Sequence, residues 1–292
     1  DKHGQAMLAC NPLPTSYPAL TLLTFWVTFC VTFHLTNTGG DTMTHNEYIR
    51  IQPDADSAML FIHGILGTPN HFEPLLPLVP ESMSVYNLLL EGHGKGAQDF
   101  GHSSMQKWEA QVEKAVHHLS ASHTKIYIVA HSMGTLFAIE QAISHKKISG
   151  LFLMAVPIIP RPAPRLLVTA ARLYFGKIRP DDKMTVAAQR ACSITLSKNP
   201  LHYINWIPRY LELFDKVRKT RGILSELAVS ATAFQSQSDE MVSARSIRYL
   251  KKHSGMTVHT LASSGHHYYS PDDLTFLKNE FLKFVCKNRP GH

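Results

Sequence analysis

The stretch KIYIVAHSMGTLFAIEQA, residues 125–142, decides the fold. IYIV is a continuous apolar run of the kind a parallel strand buried on both faces requires. That strand should end at Ala130, and a helix follows almost at once, running to about Ser144. Between them Ser132 sits in a turn with little room, flanked two residues away by the small residues Ala130 and Gly134, where larger side chains would collide. Such a turn lifts the serine hydroxyl above the sheet and aims the Met133 N–H and the helix N-terminus at developing negative charge. A serine hydroxyl alone is a poor nucleophile; it needs a base, and the base needs an orienting acid.

Outward from this segment, short β-branched runs alternate with longer helical patterns from residue 46 onward, which predicts a mostly parallel sheet flanked by helices. Strands are expected at 48–52, 58–62, 84–89, 125–130, 150–154, 232–235 and 257–261. Trp108, Val112, Ala115, Val116 and Leu119 predict an amphipathic helix over 105–120. Ser270 followed by Pro271, Asp272 and Asp273 predicts a capped helix start, with Leu274, Leu277, Phe281 and Phe284 as its buried stripe. Asp239 lies just beyond the strand ending near Gln235, and His266 just beyond the one ending near Leu261. Ser132, Asp239 and His266 therefore project from the carboxyl edge of one parallel sheet, where open α/β folds place their sites.

The alternation stops between Pro157 and about Arg221, where seven prolines punctuate two or three helical patches. This excursion reads as a cap over 158–221, with an ordinary helical elaboration as the alternative. It offers apolar residues that could line a ligand recess, among them Ile158, Tyr174 and Trp206. His131, beside the serine, is expected either to pack the loop or to form a wall of the substrate pocket.

At 292 residues, 44% of them hydrophobic, the chain has the size and composition of a globular α/β domain of 43–287 with one insertion. The net charge of +7 is not gathered into a basic patch, so no nucleic-acid partner is expected. Cys10, Cys30, Cys192 and Cys286 are scattered and fit free thiols at least as well as a disulfide framework. Residues 1–42 differ from the rest in composition and read as a processed or foreign extension, a membrane-associated segment, or part of the fold. Within them, residues 20–35 are apolar, but as a helix they would reach only about 24 Å against a hydrocarbon core of ~30 Å. Membrane association is expected only through this run; otherwise the expectation is a cytoplasmic protein, with a secreted or membrane-associated one as the alternative. Oligomeric state is not legible.

Two further signals are set aside. Gly92, Gly94 and Gly96 lack the third glycine of a dinucleotide loop, since residue 97 is alanine, and Lys95 is not followed by serine or threonine. No cofactor is expected. Eighteen histidines include no H-E-x-x-H, and the pairs His117-His118 and His266-His267 are adjacent rather than a helical turn apart, so no metal is expected either.

These residues together resemble the α/β-hydrolase superfamily, especially capped bacterial carboxylesterases and monoacylglycerol lipases. AHSMG, residues 130–134, is similar to the G-x-S-x-G elbow with alanine in place of the first glycine, and Ser132, Asp239 in SDEMV and His266 in SSGHH follow the family's order of serine, acid and histidine. Asp239 and Val242 match its frequent D-x-x-V pattern, and FIHGILGTP, residues 61–69, resembles the His-Gly segment after its third strand. The resemblance covers roughly residues 46–287. It implies an α/β-hydrolase fold with a helical cap between the sixth and seventh strands of the family's count. It also implies a serine hydrolase acting on small carboxylic esters, short- to medium-chain acyl esters or monoacylglycerols. Ser132 would be the nucleophile, His266 the base and Asp239 its orienting acid, with Glu240 the nearest substitute. The N–H groups of Ile65 and Met133 would form the oxyanion hole, and His63 would hold its loop by hydrogen bonds. Amide, lactone or carbon–carbon bond hydrolysis, or a catalytically silent binding protein, are the alternatives.

Overall fold

In the computed structural model, seven strands form one sheet in the order β1-β3-β2-β4-β5-β6-β7. The structure describes residues 44–161, 168–169, 172, 178–197 and 199–287. Residues 1–42, with the apolar run 20–35, and Tyr174 lie outside them. The strands are β1 (Tyr48–Arg50), β2 (Ser57–Ile62), β3 (Ser84–Leu88), β4 (Lys125–His131), β5 (Ile148–Met154), β6 (Ala231–Ser236) and β7 (Met256–Leu261). All pair in parallel except β1, an edge strand antiparallel to β3. Each lies within two residues of its expected ends, because apolar β-branched runs bounded by turn residues are a local signal.

Side-chain alternation along the strands divides the core in two. Leu60, Ile62, Ile128, Ala130, Leu151 and Leu153 face one side, and Met59, Phe61, Val129, Phe152 and Phe234 the other. The first face is covered by α2 (Met105–Ser122), α3 (Met133–Ser144) and α5 (Trp206–Ile223), which follow the short α1 (Ala97–His102) and, for α5, α4 (Lys183–Ala191). α2 buries Trp108, Val112, Ala115, Val116 and Leu119, the stripe its 3.6-residue periodicity predicts. The second face is covered by α7 (Pro271–Lys287), which follows α6 (Arg245–Leu250). In α7 the fully buried residues are Leu277, Phe281 and Val285, with Leu274 and Phe284 partly buried, so the stripe is turned slightly from the expected one. Ser270 caps α7 as expected, its hydroxyl accepting the Asp273 N–H at 3.2 Å.

The helical insertion between the family's sixth and seventh strands falls here between β5 and β6, and it carries α4 and α5. α5 is fastened to the sheet's own helices by polar contacts. Glu212 accepts the N–H of Met105 at 2.9 Å, satisfying an open donor at the start of α2. Arg209 donates to the carbonyls of Gly101 and Ser103 and pairs with Glu212. Lys216, only 5% exposed, donates to Glu109 of α2 and Glu140 of α3, and its ammonium lies 5.2 Å from the Phe137 ring centroid.

Cys192 and Cys286 are free thiols; Cys10 and Cys30 lie outside the described residues. No helix among the described residues is long and apolar enough to cross a membrane. Positive backbone angles at Gly92 (φ 80°) and Gly94 (φ 70°) account for that glycine loop by turn geometry.

Removing Lys216 leaves Glu140 facing α5 with only Thr220 as a donor. Both carboxylates keep some access to water, so Lys216→Met should cost about 2 kcal/mol, below the usual range for breaking a buried ion pair. Chemical denaturation measures this; a change within about 0.5 kcal/mol, typical of surface substitutions, would contradict the fastening role.

Candidate active site

Ser132 adopts φ 51° and ψ −123°, a region that residues with a side chain avoid. Three contacts hold it there. Its N–H donates to the Met154 carbonyl of β5 at 2.9 Å, and its own carbonyl accepts the Thr135 N–H at 2.9 Å and the Thr135 hydroxyl at 2.6 Å. The elbow also presses backbone against backbone. A methyl group on Gly134 would lie 2.2 Å from the Ile62 carbonyl oxygen, and one on Gly64 would lie 2.8 Å from the Ser132 Cβ. Both glycines are required by contact rather than by their own angles. Ala130, in the family's first glycine position, is fully buried in β4 and paired with Ile62 and Leu153, so its methyl is accommodated.

Three parallel strands deliver three side chains into one hydrogen-bonded line. His266 Nε2 lies 3.0 Å from Ser132 Oγ, and His266 Nδ1 lies 2.9 and 3.1 Å from the two Asp239 carboxylate oxygens. All three residues are buried. Asp239 Oδ1 also accepts the N–H groups of Met241 and Val242 at 2.7 and 2.8 Å, which is why an acid three residues before Val242 is held in place. Glu240 does not reach the imidazole ring; it accepts the His266 backbone N–H at 3.0 Å and so fixes the histidine loop. Burial opposes a charge on His266 and is the largest single influence. The Asp239 charge and hydrogen bond, with Glu240 behind them, outweigh it and raise the imidazole pKa.

The loop after β2 rests on two histidines. His63 Nε2 accepts the Leu90 N–H at 3.1 Å and its Nδ1–H donates to the Gly64 carbonyl at 2.8 Å, as expected of a residue bracing that loop. His93 was not singled out by sequence; its Nε2 accepts the Leu66 N–H at 3.1 Å and its Nδ1–H donates to the Leu90 carbonyl at 3.2 Å. Each must be neutral to accept, and burial lowers both, His63 to about 4 and His93 further below its ordinary value. Nothing near His93 in sequence marked this role, because its partner is 27 residues away.

The remaining expected site residues separate. His131 is buried and its Nε2–H donates to the His266 carbonyl at 3.0 Å, tying the nucleophile strand to the histidine loop. Ile158 is fully buried just beyond β5. Trp206, expected at the substrate pocket, is fully buried: its ring meets Phe100 and Tyr203, and its indole N–H donates to the Ala97 carbonyl at 2.7 Å. Tyr174 lies outside the described residues. His267 has a buried Nδ1 with no hydrogen-bond partner among the described residues.

The insertion is hydrogen-bonded at two places to the loops that carry this site. At its first root, Arg161 donates its N–H to Met241, Ser243 donates its N–H to Ile159, and the Gln235 side chain of β6 donates to the Val156 carbonyl at 2.7 Å. Between α4 and α5, Ser193 donates its N–H to Leu66 and Thr195 its N–H to Lys95. The polar residues at the end of β6 thus have structural partners, Ser236 donating to the Gly265 carbonyl at 3.1 Å.

A histidine-resolved NMR titration should place His266 above the ordinary imidazole value of about 6.5 and His63 well below it. Asp239→Asn should lower the His266 midpoint. An unmoved midpoint would contradict the assigned pairing.

Among solved structures, the chain is similar to one from work on the metagenome-derived lipolytic enzymes LipS and LipT, at 18% identity over 84% of this chain and 98% of that one, with a TM-score of 0.62. It is also similar to a monoacylglycerol lipase from Paleococcus ferrophilus (14% identity, 84% and 100% coverage, TM-score 0.60). Est1E from Butyrivibrio proteoclasticus, bound to ferulic acid, matches at 16% identity, 83% and 94% coverage and a TM-score of 0.56. At such identities these likenesses show the fold alone. A sequence search of curated proteins finds no match. The alpha/beta hydrolase family model matches residues 59–275, which span β2 to the first turns of α7 and include Ser132, Asp239 and His266, and the chain therefore belongs to the alpha/beta hydrolase family.

Proposed function

We propose that this chain is a serine hydrolase that cleaves carboxylic esters, short- to medium-chain acyl esters or monoacylglycerols, through an acyl-enzyme on Ser132. The observation that carries this reading is the line from Ser132 Oγ through the His266 ring to the Asp239 carboxylate, with hydrogen bonds of 3.0 and 2.9 Å. His266 takes the hydroxyl proton at Nε2 as Oγ attacks the ester carbonyl, while Asp239 holds the Nδ1–H tautomer and stabilises the imidazolium. The protonated ring gives its proton to the departing alcohol. Water, activated by the same ring, then releases the acid.

The N–H groups of Ile65 and Met133 receive the oxyanion in this reading. Met133 is the first residue of α3, where an N–H has no acceptor within the helix, and Ile65 follows Gly64, whose backbone lies against Ser132. The insertion acts as a cap, since it is bonded at two places to loops that carry the site. Ile158, His131, Tyr174 and Trp206 are the proposed substrate neighbours. The lipolytic enzymes and the monoacylglycerol lipase that share the fold support the substrate class.

A panel of p-nitrophenyl esters and monoacylglycerols, with a fluorophosphonate probe alongside, tests this. Wild type should label at Ser132 and show an optimum in acyl length, and Ser132→Ala should lose labelling and at least about 10³-fold in rate. Equal turnover by the alanine variant would refute the assignment. The rate should also fall on acidification through a midpoint above about 6.5, because only neutral His266 can accept the proton and Asp239 raises its pKa. An acid limb well below that value would contradict His266 as base.

A further inference from the structure

Three imidazoles crowd the back of His266 and have no part in the ester chemistry proposed above for Ser132, His266 and Asp239. His71 comes from the short turn Pro69–Phe72, His131 from the end of β4 and His267 from the loop after β7. One ring nitrogen from each lies within 4.8 Å of the other two. The ring centroids are 3.9 Å apart for His71 and His131, 5.4 Å for His131 and His267, and 6.2 Å for His71 and His267. His131 is buried, while His71 and His267 are half-buried and give the cluster an opening to solvent.

The electron pairs are arranged for a ligand that accepts them. Because His131 Nε2–H donates to the His266 carbonyl, its Nδ1 carries a lone pair. A ligating imidazole fixed through its other nitrogen to a carbonyl is how metal sites orient their histidines. His267 Nδ1 is buried without any partner among the described residues, a cost that a bound cation would remove.

We propose that His71, His131 and His267 form a three-histidine site for a transition-metal dication, Zn²⁺ foremost, and that its occupancy inhibits the neighbouring hydrolase. Imidazole nitrogens suit Zn²⁺, Cu²⁺ and Ni²⁺, and the absence of a carboxylate from the trio disfavours Ca²⁺ and Mg²⁺. Tetrahedral Zn²⁺ with Zn–N near 2.1 Å brings ligand nitrogens to about 3.4 Å from one another, so the rings close in by small side-chain rotations. The inhibitory half rests on the ester-hydrolase reading; the binding half does not. His266 lies between the trio's inner members, 4.9 Å from His131 and 4.7 Å from His267 by ring centroids. Drawing His131 and His267 onto an ion shifts the loop that holds the His266 ring against Ser132, because His131 is hydrogen-bonded to the His266 carbonyl and His267 is its chain neighbour. The sequence conceals the site because its members come from three separate elements, with none of the spacings a metal motif shows.

Calorimetric titration of the full chain with Zn²⁺, in wild type and in Ser132→Ala, should give one site of micromolar affinity or better in both. His71→Gln and His267→Gln should each weaken it at least tenfold, while Glu113→Gln with His117→Gln, in the more exposed Glu113–His117–His145 group, should not. In ester turnover, Zn²⁺ should inhibit wild type by at least tenfold, reversibly with EDTA, and His71→Gln should keep the basal rate yet resist Zn²⁺. Binding lost with the Glu113 and His117 variants instead, or no stoichiometric binding, overturns the site. Binding without inhibition in an active enzyme overturns the regulatory half. Absence of ester turnover without metal would sink the hydrolase reading, while the Ser132→Ala titration still judges the site.

Discussion

Everything at the site depends on a serine held at a positive φ by the close approach of two backbones. Unfavourable backbone angles of this kind cost of order 1–3 kcal/mol and persist only where their surroundings over-determine them. Here the Ile62 carbonyl leaves no space for a side chain at 134, Gly64 lies against the serine's own Cβ, and Met154 and Thr135 take the serine's backbone hydrogen bonds. The sheet beneath is rigid because its strands are packed on both faces, so the hydroxyl stays where the turn puts it. His266 and Asp239 then need only reach a fixed point.

The histidines around that point fall into functional kinds set by their partners. His266 faces a carboxylate and is pushed towards charge. His63 and His93 accept backbone N–H groups through one nitrogen, so their burial as neutral rings is a condition of their role. His131 donates to a carbonyl and keeps a lone pair. Residue type alone says little among so many histidines; the hydrogen bond each makes says most.

Much of the fold was readable because its determinants are local. IYIV, MLFI and the 3.6-residue stripe of α2 each announce themselves within a few residues, and so does the small-residue frame of Ser132. Asp239 and His266 were legible because each follows a strand at the same edge of a parallel sheet. What stayed hidden was long-range and polar. Glu212 satisfies an N–H more than a hundred residues away, His93 holds the loop after β2, and the Trp206 indole N–H donates to the Ala97 carbonyl. The hydroxyl and amide at the end of β6 have their partners at Gly265 and Val156.

The insertion's two backbone attachments carry a consequence for how such a protein can diversify. Residues near 159–161 and 193–195 are grafted by backbone hydrogen bonds onto the acid loop and the loop after β2. Main-chain bonds of this sort are indifferent to side-chain identity. The intervening segment is thus an exchangeable cassette: its sequence and length can drift, and with them the molecules admitted, while the splice points keep the reactive groups in register.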